Sequence, residues 1–154
     1  MFRVSKLADY GTIVMASMAR EPQRVHSAAE VATRIGLATP TVSKILKTLA
    51  RSGLVSSSRG AKGGYRLPRA PAQITVVQII RAMDGPIGMT ECSTTQNLCA
   101  QEAACSVRAN WLTINHLVLE TLSRVTLEQM AKPLPQTVPL AAIGRRPAAI
   151  PTNA

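Results

Sequence analysis

The chain has 154 residues, enough for one domain with a real core or for a compact domain carrying an extended dimerisation element, and too few for two large independent domains. Lys and Arg outnumber Asp and Glu by 18 to 8, and the excess is lopsided: residues 1–73 hold 12 basic and 3 acidic side chains, the remainder 6 and 5. A basic half joined to a nearly neutral one points to a polyanionic partner, nucleic acid first, while the lack of an uninterrupted apolar run of about 18 residues and of a signal-peptide pattern predicts a cytoplasmic protein that neither spans a membrane nor is secreted.

In chain order, Leu7, Tyr10, Ile13, Val14 and Met18 recur at helical spacing and predict a first amphipathic helix from Ser5 to Ala19, ended by Pro22. Ser27 and Glu30 form a candidate capping box for a short second helix that Gly36 closes. Thr39 as N-cap and Pro40 at the first helical position open a third, with Val42, Ile45, Leu46 and Leu49 as its apolar stripe and Gly53 as its stop. The short connection from Gly36 to Thr39 suits a helix-turn-helix, and Pro40, Lys44, Lys47 and Arg51 then share the outward face of a basic recognition helix. Leu54 and Val55 begin one strand, Tyr65 to Leu67 form another, and the intervening SSSRGAKGG reads as a wing.

Thr75 and Gln78 cap a fourth helix, bearing Val76, Ile79, Ile80 and Met83 and ended at Asp84-Gly85-Pro86. Residues up to about Ala104 show little periodicity, which places Cys92, Cys99 and Cys105 on a loop or its helical margins. Val107, Trp111, Ile114, Val118, Leu122 and Val125 then recur by threes and fours, a long helix that needs an apolar partner. The same helix of a second copy would give a two-fold homodimer, with paired recognition helices on a palindromic operator. Thr126 and Gln129 cap a last short helix, and beyond Lys132 five of the ten prolines fall within 22 residues, predicting a disordered tail. The expected organisation is a DNA-binding region at 1–73, a linker helix and cysteine loop at 74–106, the dimerisation and last helices at 107–132, and the tail at 133–154. The fold class is mostly α: a winged helix-turn-helix with a small β-hairpin wing and a long C-terminal dimerisation helix.

Phosphates call for cations and base edges for hydrogen-bonding groups. Lys44, Lys47 and Arg51 suit the first role, Thr39, Thr41 and Ser43 the second, and Arg59 and Lys62 at the wing tip suit a narrow minor groove. The cysteines make the pattern Cx6Cx5C, an odd number of thiols in a reducing compartment. Soft thiolates select zinc, copper(I) or an iron-sulfur cluster, and the tight CxxC spacing common in zinc sites is absent. The pattern leaves open a cluster, another metal, a thiol switch in which a cysteine beside Arg108 is oxidised reversibly, or cysteines with no shared role. His26 and His116 read as structural, and Trp111 as an anchor of the dimer core. No nucleophile and base pair, phosphate loop or paired carboxylates suggest an enzyme.

Taken together, SKLADYG, IGLATPTVSKILKTLARSGLVSSSRGAKGGYRL, VQIIRAMDGP, the three cysteines and VTLEQM resemble the IscR/NsrR type of regulator, the Rrf-two superfamily, and most of all its members that control iron-sulfur assembly operons of the SUF kind. The resemblance covers residues 1 to about 132. It implies an iron-sulfur cluster, 2Fe-2S in preference to 4Fe-4S, on Cys92, Cys99 and Cys105, and DNA contacts from Thr39, Thr41, Ser43, Lys44, Arg59 and the turn Gly63-Gly64-Tyr65. Where some members carry a histidine shortly after the last cysteine this chain has Arg108, no iron ligand; others use an acid of the first helix from the other subunit, which matches Asp9. Asp9 reads equally well as a first-turn acid at the positive end of its helix.

Overall fold

The structure, a computed structural model, describes residues 4–60, 63–95, 99–101 and 103–132. Lys62 and the proline-rich tail lie outside these residues.

Helix α1 (Lys6–Ala19) begins where Ser5 accepts the Ala8 N–H at 3.0 Å. The same hydroxyl donates to Asp84 at 2.6 Å, pinning this end to the C-terminus of α4 (Val76–Asp84). Between those helices Gly11 is buried, and a Cβ there would stand 3.0 Å from Met83 Cγ, so the close α1–α4 crossing depends on its missing side chain. Helix α2 (Ala28–Ile35) ends at Gly36, whose φ of 69° is a left-handed cap. Ser27 caps it by accepting the Glu30 N–H at 3.1 Å. The box is one-sided, because the Glu30 carboxylate pairs with Arg24 and Arg34.

Helix α3 (Thr39–Arg51) starts one residue earlier than the sequence suggests. Its N-cap is Ala38, whose carbonyl takes the first helical bond from Val42, so Thr39 is already helical and caps nothing. At the other end, Leu54 and Val55 send their N–H groups back to the Leu49 carbonyl, and both side chains are buried. They finish the helix instead of pairing across the hairpin. The wing strands are accordingly β1 (Ser56–Ser58) and β2 (Gly64–Arg66), antiparallel with Ser57 opposite Tyr65. Tyr65 also exchanges two backbone hydrogen bonds with His26, each 2.8 Å, tying β2 to the loop before α2.

After a 3-10 turn at Pro71–Gln73, Thr75 closes a reciprocal capping box with Gln78 and opens α4. A four-residue helix α5 (Glu91–Thr94), then α6 (Arg108–Ser123) and α7 (Leu127–Ala131) follow, the last opened by a second reciprocal box between Thr126 and Gln129. Leu127 is fully buried in the core that also contains Val14, Met18, Ile45, Leu49, Ile74 and Ile79, so α7 closes over α1. The apolar stripe of α6 is divided. Leu119, Leu122 and the following Val125 pack on Ala8, Val76, Val77, Ile80 and Ile87, whereas Val107, Trp111, Ile114 and Leu117 are exposed. Leu122 and Val125, expected at the dimer seam, thus belong to this chain's own core.

Candidate nucleic-acid interface and cysteine segment

Helix α3 presents two unlike faces. Val42, Ile45, Leu46 and Leu49 are wholly buried, which fixes the rotation of the helix about its axis. Pro40, Lys44, Lys47 and Arg51 are therefore carried outward and are exposed; with Ser43 and Thr48 they line one open groove. Thr39 is exposed at the helix start, Thr41 and Ser43 are half-buried. Thr48, not singled out from the sequence, sits one turn beyond Lys44 and donates its hydroxyl to the Lys44 carbonyl at 3.1 Å. Its spacing from Lys44 was the available signal.

Arg59 stands exposed on the wing. The neighbouring glycines have a packing role. A Cβ on Gly64 would lie 2.6 Å from the His26 carbonyl oxygen and one on Gly63 would collide with the backbone of Ser58 and Arg59. Tyr65 is half-buried against the core.

The charge of this face is uncompensated. No Asp or Glu occurs between Glu30 and Asp84. The acids just upstream are engaged elsewhere: Glu21 pairs with Arg24 at 3.1 Å and Arg34 at 3.0 Å, and Glu30 with the same two arginines at 2.8 and 2.9 Å. The hydrogen bond from Arg24 is the main reason that the Glu21 carboxyl titrates below its usual 4.5; partial desolvation opposes it, and the charges of Arg24, Arg34 and His26 add to it. Two acids and two arginines neutralise one another at the α1–α2 turn, leaving the outward cations of α3 without a carboxylate partner among the described residues.

Cys92 lies in α5, Cys99 in a turn, and Cys105 three residues before α6; all three are half-buried and none forms a disulfide. The Thr90 hydroxyl, at the N-cap of α5, is 3.2 Å from Cys92 Sγ and 2.7 Å from Ser93 Oγ. Among the described residues no three His, Cys, Asp or Glu side chains are close enough to share a metal ion. The fold thus places the three thiols in one segment without bringing them together. Asp9 is exposed in the first turn of α1 and forms no group with them. The donor chemistry nevertheless suits an iron-sulfur cluster: three free, soft thiols within one segment, whose regular element among the described residues is the single turn of α5. His26 is buried, with Nε2 3.1 Å from the Glu21 carbonyl oxygen, and His116 is exposed on α6. No helix among the described residues is long and apolar enough to cross a membrane.

Comparison with known proteins agrees with this architecture. The putative HTH-type transcriptional regulator rrf2-like of Rhodobacter capsulatus is 32% identical over 116 residues, 72% of this chain and 77% of that protein. The structure of CymR, the global cysteine regulator of B. subtilis, is similar with a TM-score of 0.67 and 31% identity, covering 85% of this chain and 97% of that one. T. potens IscR is similar at 0.63 and 29%, over 84% and 85%. Residues 4–133 match the Rrf2 family, described as an iron-dependent transcriptional regulator. The chain belongs to the Rrf2 family: it is a winged helix-turn-helix transcription regulator, not an enzyme.

Proposed function

We propose that the chain binds a palindromic operator as a homodimer in the cytoplasm and senses through an iron-sulfur cluster, 2Fe-2S, held by Cys92, Cys99 and Cys105 with Asp9 of the second copy as fourth ligand. The genes it controls are those of iron-sulfur assembly of the SUF kind, repressed while the operator is occupied. The observation that carries the reading is the pairing of an acid-free, cationic α3 and wing with three unpaired cysteines in one segment. Lys44, Lys47, Arg51, Arg59 and Lys62 contact phosphates, Thr39, Thr41 and Ser43 approach base edges, and Gly63, Gly64 and Tyr65 hold the wing at the backbone. The thiolates of Cys92, Cys99 and Cys105 and the Asp9 carboxylate would hold the cluster, which when bound would supply a redox- and iron-responsive group at the cysteine segment.

Family likeness to an iron-dependent regulator supports the cluster. The separation of the thiols and the likeness to a global cysteine regulator favour one other reading, a cluster-free repressor switched by thiol oxidation or nitric oxide. Purification without oxygen separates the two. Brown protein with visible charge-transfer bands, lost in Cys99→Ser, and a different affinity for a SUF promoter fragment before and after cluster removal support the cluster. Colourless protein with full affinity and a response to oxidant supports the thiol switch. A coupling of roughly 1 to 3 kcal/mol, the usual allosteric range, corresponds to about 5- to 150-fold in operator affinity.

A further inference from the structure

Asn115 is the single buried residue of α6 among those described, 6% exposed, on a helix whose Leu119 and Leu122 pack into an apolar cluster. An amide in such a place is unfavourable unless it is hydrogen-bonded. Its Oδ1 accepts the Met89 N–H at 3.2 Å, joining residues 26 apart in sequence. Met89 directly precedes Thr90, the N-cap of α5, whose hydroxyl touches both Cys92 Sγ and Ser93 Oγ. One residue before Met89, the position a Cβ of Gly88 would take is filled by Thr94, so residues 88–94 form a tight unit around Cys92. Cys105 is referenced to the same helix from its start, its carbonyl accepting the Arg108 N–H at 3.3 Å.

We infer that Asn115 is a positioning residue for the cysteine segment: by holding Met89 it fixes Cys92 relative to α6, and hence relative to Cys105. The inference rests on the reading of these cysteines as the sensing site. Its reach goes further than the thiols, because Ile114 and Trp111 on the outer face of the same helix are exposed next to it. A rearrangement that pulls on Met89 therefore acts on α6 within one residue of its exposed apolar face.

The test uses the full chain, reduced and cluster-free, with iodoacetamide as probe and mass spectrometry to follow each cysteine. Asn115→Leu keeps the branch at Cγ and the number of side-chain heavy atoms and removes the acceptor; Asn115→Asp keeps the acceptor. Cys92 in Asn115→Leu should be alkylated about fivefold faster relative to Cys105, the factor of one lost hydrogen bond, while Asn115→Asp stays near wild type. Should the leucine variant fail to unfold cooperatively, Asn115→Ala serves in its place. Equal Cys92 rates in folded wild-type, leucine or alanine, and aspartate proteins overturn the assignment, as does acceleration of Cys92 and Cys105 together, which marks general loosening. Reconstitution with iron and sulfide provides a second readout, with visible bands shifted in the leucine variant and restored in the aspartate. If no variant and no wild type takes up iron while Cys92 still responds selectively, the positioning role stands and the cluster reading falls.

Discussion

The two halves of this chain are built to different standards of closure. From α1 to α4 nearly every apolar position finds a partner within the chain, with Val14, Met15, Met18, Val31, Val42, Ile45, Leu46 and Leu49 fully buried. Beyond Gly85, the buried side chains among the described residues are Ile87, Asn115 and Leu127. Helix α6 is sixteen residues long yet leaves Trp111, Ile114 and Leu117 in contact with solvent. A region whose core is closed within the chain, with Leu127 of α7 among its members, can hold a recognition helix at a fixed orientation. One that leaves an apolar face uncovered and its thiols free of disulfides can take its final form from what it meets.

The sharpest way to break this comparison is to remove equal volume from each half. Leu49→Ala creates a cavity in the closed core and should lower the free energy of unfolding by about 2 to 5 kcal/mol in denaturant titration. Leu117→Ala, on the exposed side of α6, should change it by less than about 0.5 kcal/mol in dilute solution. If a second copy covers α6, the cost of Leu117→Ala grows with protein concentration, since association stabilises the folded state by mass action. Comparable losses for both variants at all concentrations would remove the distinction between the halves.

A charge at the open face probes what covers it. Ile114→Glu places a carboxylate where an isolated chain leaves it access to water, since Ile114 is 41% exposed there. In a homodimer sealed by that surface the carboxylate is buried unpaired, and sedimentation should show monomers with weakened operator binding. An unaltered dimer would move the seam off Ile114.

The contrast also explains what could be read from residues alone. Caps and stripes are local, and the boxes at Thr75–Gln78 and Thr126–Gln129 close as their spacing implies. So does the rotation of α3, since four apolar residues on one face leave Lys44, Lys47 and Arg51 no other direction. What sequence reasoning misplaced depends on distant partners. The end of the α6 stripe reads as a seam until α4 is known to lie across it, and Leu54 and Val55 read as strand until their N–H groups are seen to return to Leu49. The closeness of Gly64 to His26 is likewise hidden, a contact across 38 positions that no local pattern encodes. Asn115 gave no signal at all: an Asn within a helix is ordinary until its surroundings are known to be apolar.

Within the closed half, the outward face of α3 allows a finer division. Thr41→Ala should weaken binding to the correct operator by roughly 1 to 3 kcal/mol at most, and random DNA little, if its hydroxyl reads a base. Lys47→Ala should weaken both alike and reduce the magnitude of the salt slope by about one, as one phosphate contact fewer releases one counterion fewer. Equal loss on all DNA for Thr41→Ala would assign the threonine to the backbone, and an unchanged slope would place Lys47 outside the interface.

The smallest effect concerns acid sensitivity, and it separates the halves by their charges. Glu21 titrates below 4.5 in the folded chain, chiefly because it accepts a hydrogen bond from Arg24, and an unfolded chain loses that bond. A carboxyl with a depressed folded-state value binds its proton more readily when unfolded, so its contribution to stability is complete above the unfolded value and disappears as pH falls through the folded one. Unfolding midpoints measured in steps from pH 6 downward should therefore decline below about 4.5 in the wild type. Glu21→Gln removes the titrating group and should flatten that decline, with little change at pH 7 because the pair is solvent-exposed and its attraction is screened. Glu120→Gln, which breaks an exposed pair with Arg124 on α6, is the matching substitution in the open half. It shows what loss of an exposed, paired carboxylate alone does to the acid profile. Should Glu21→Gln retain the full acid decline, the α1–α2 ion network contributes nothing to the closure of the reading half, and the burial of its apolar core would have to account for that closure alone.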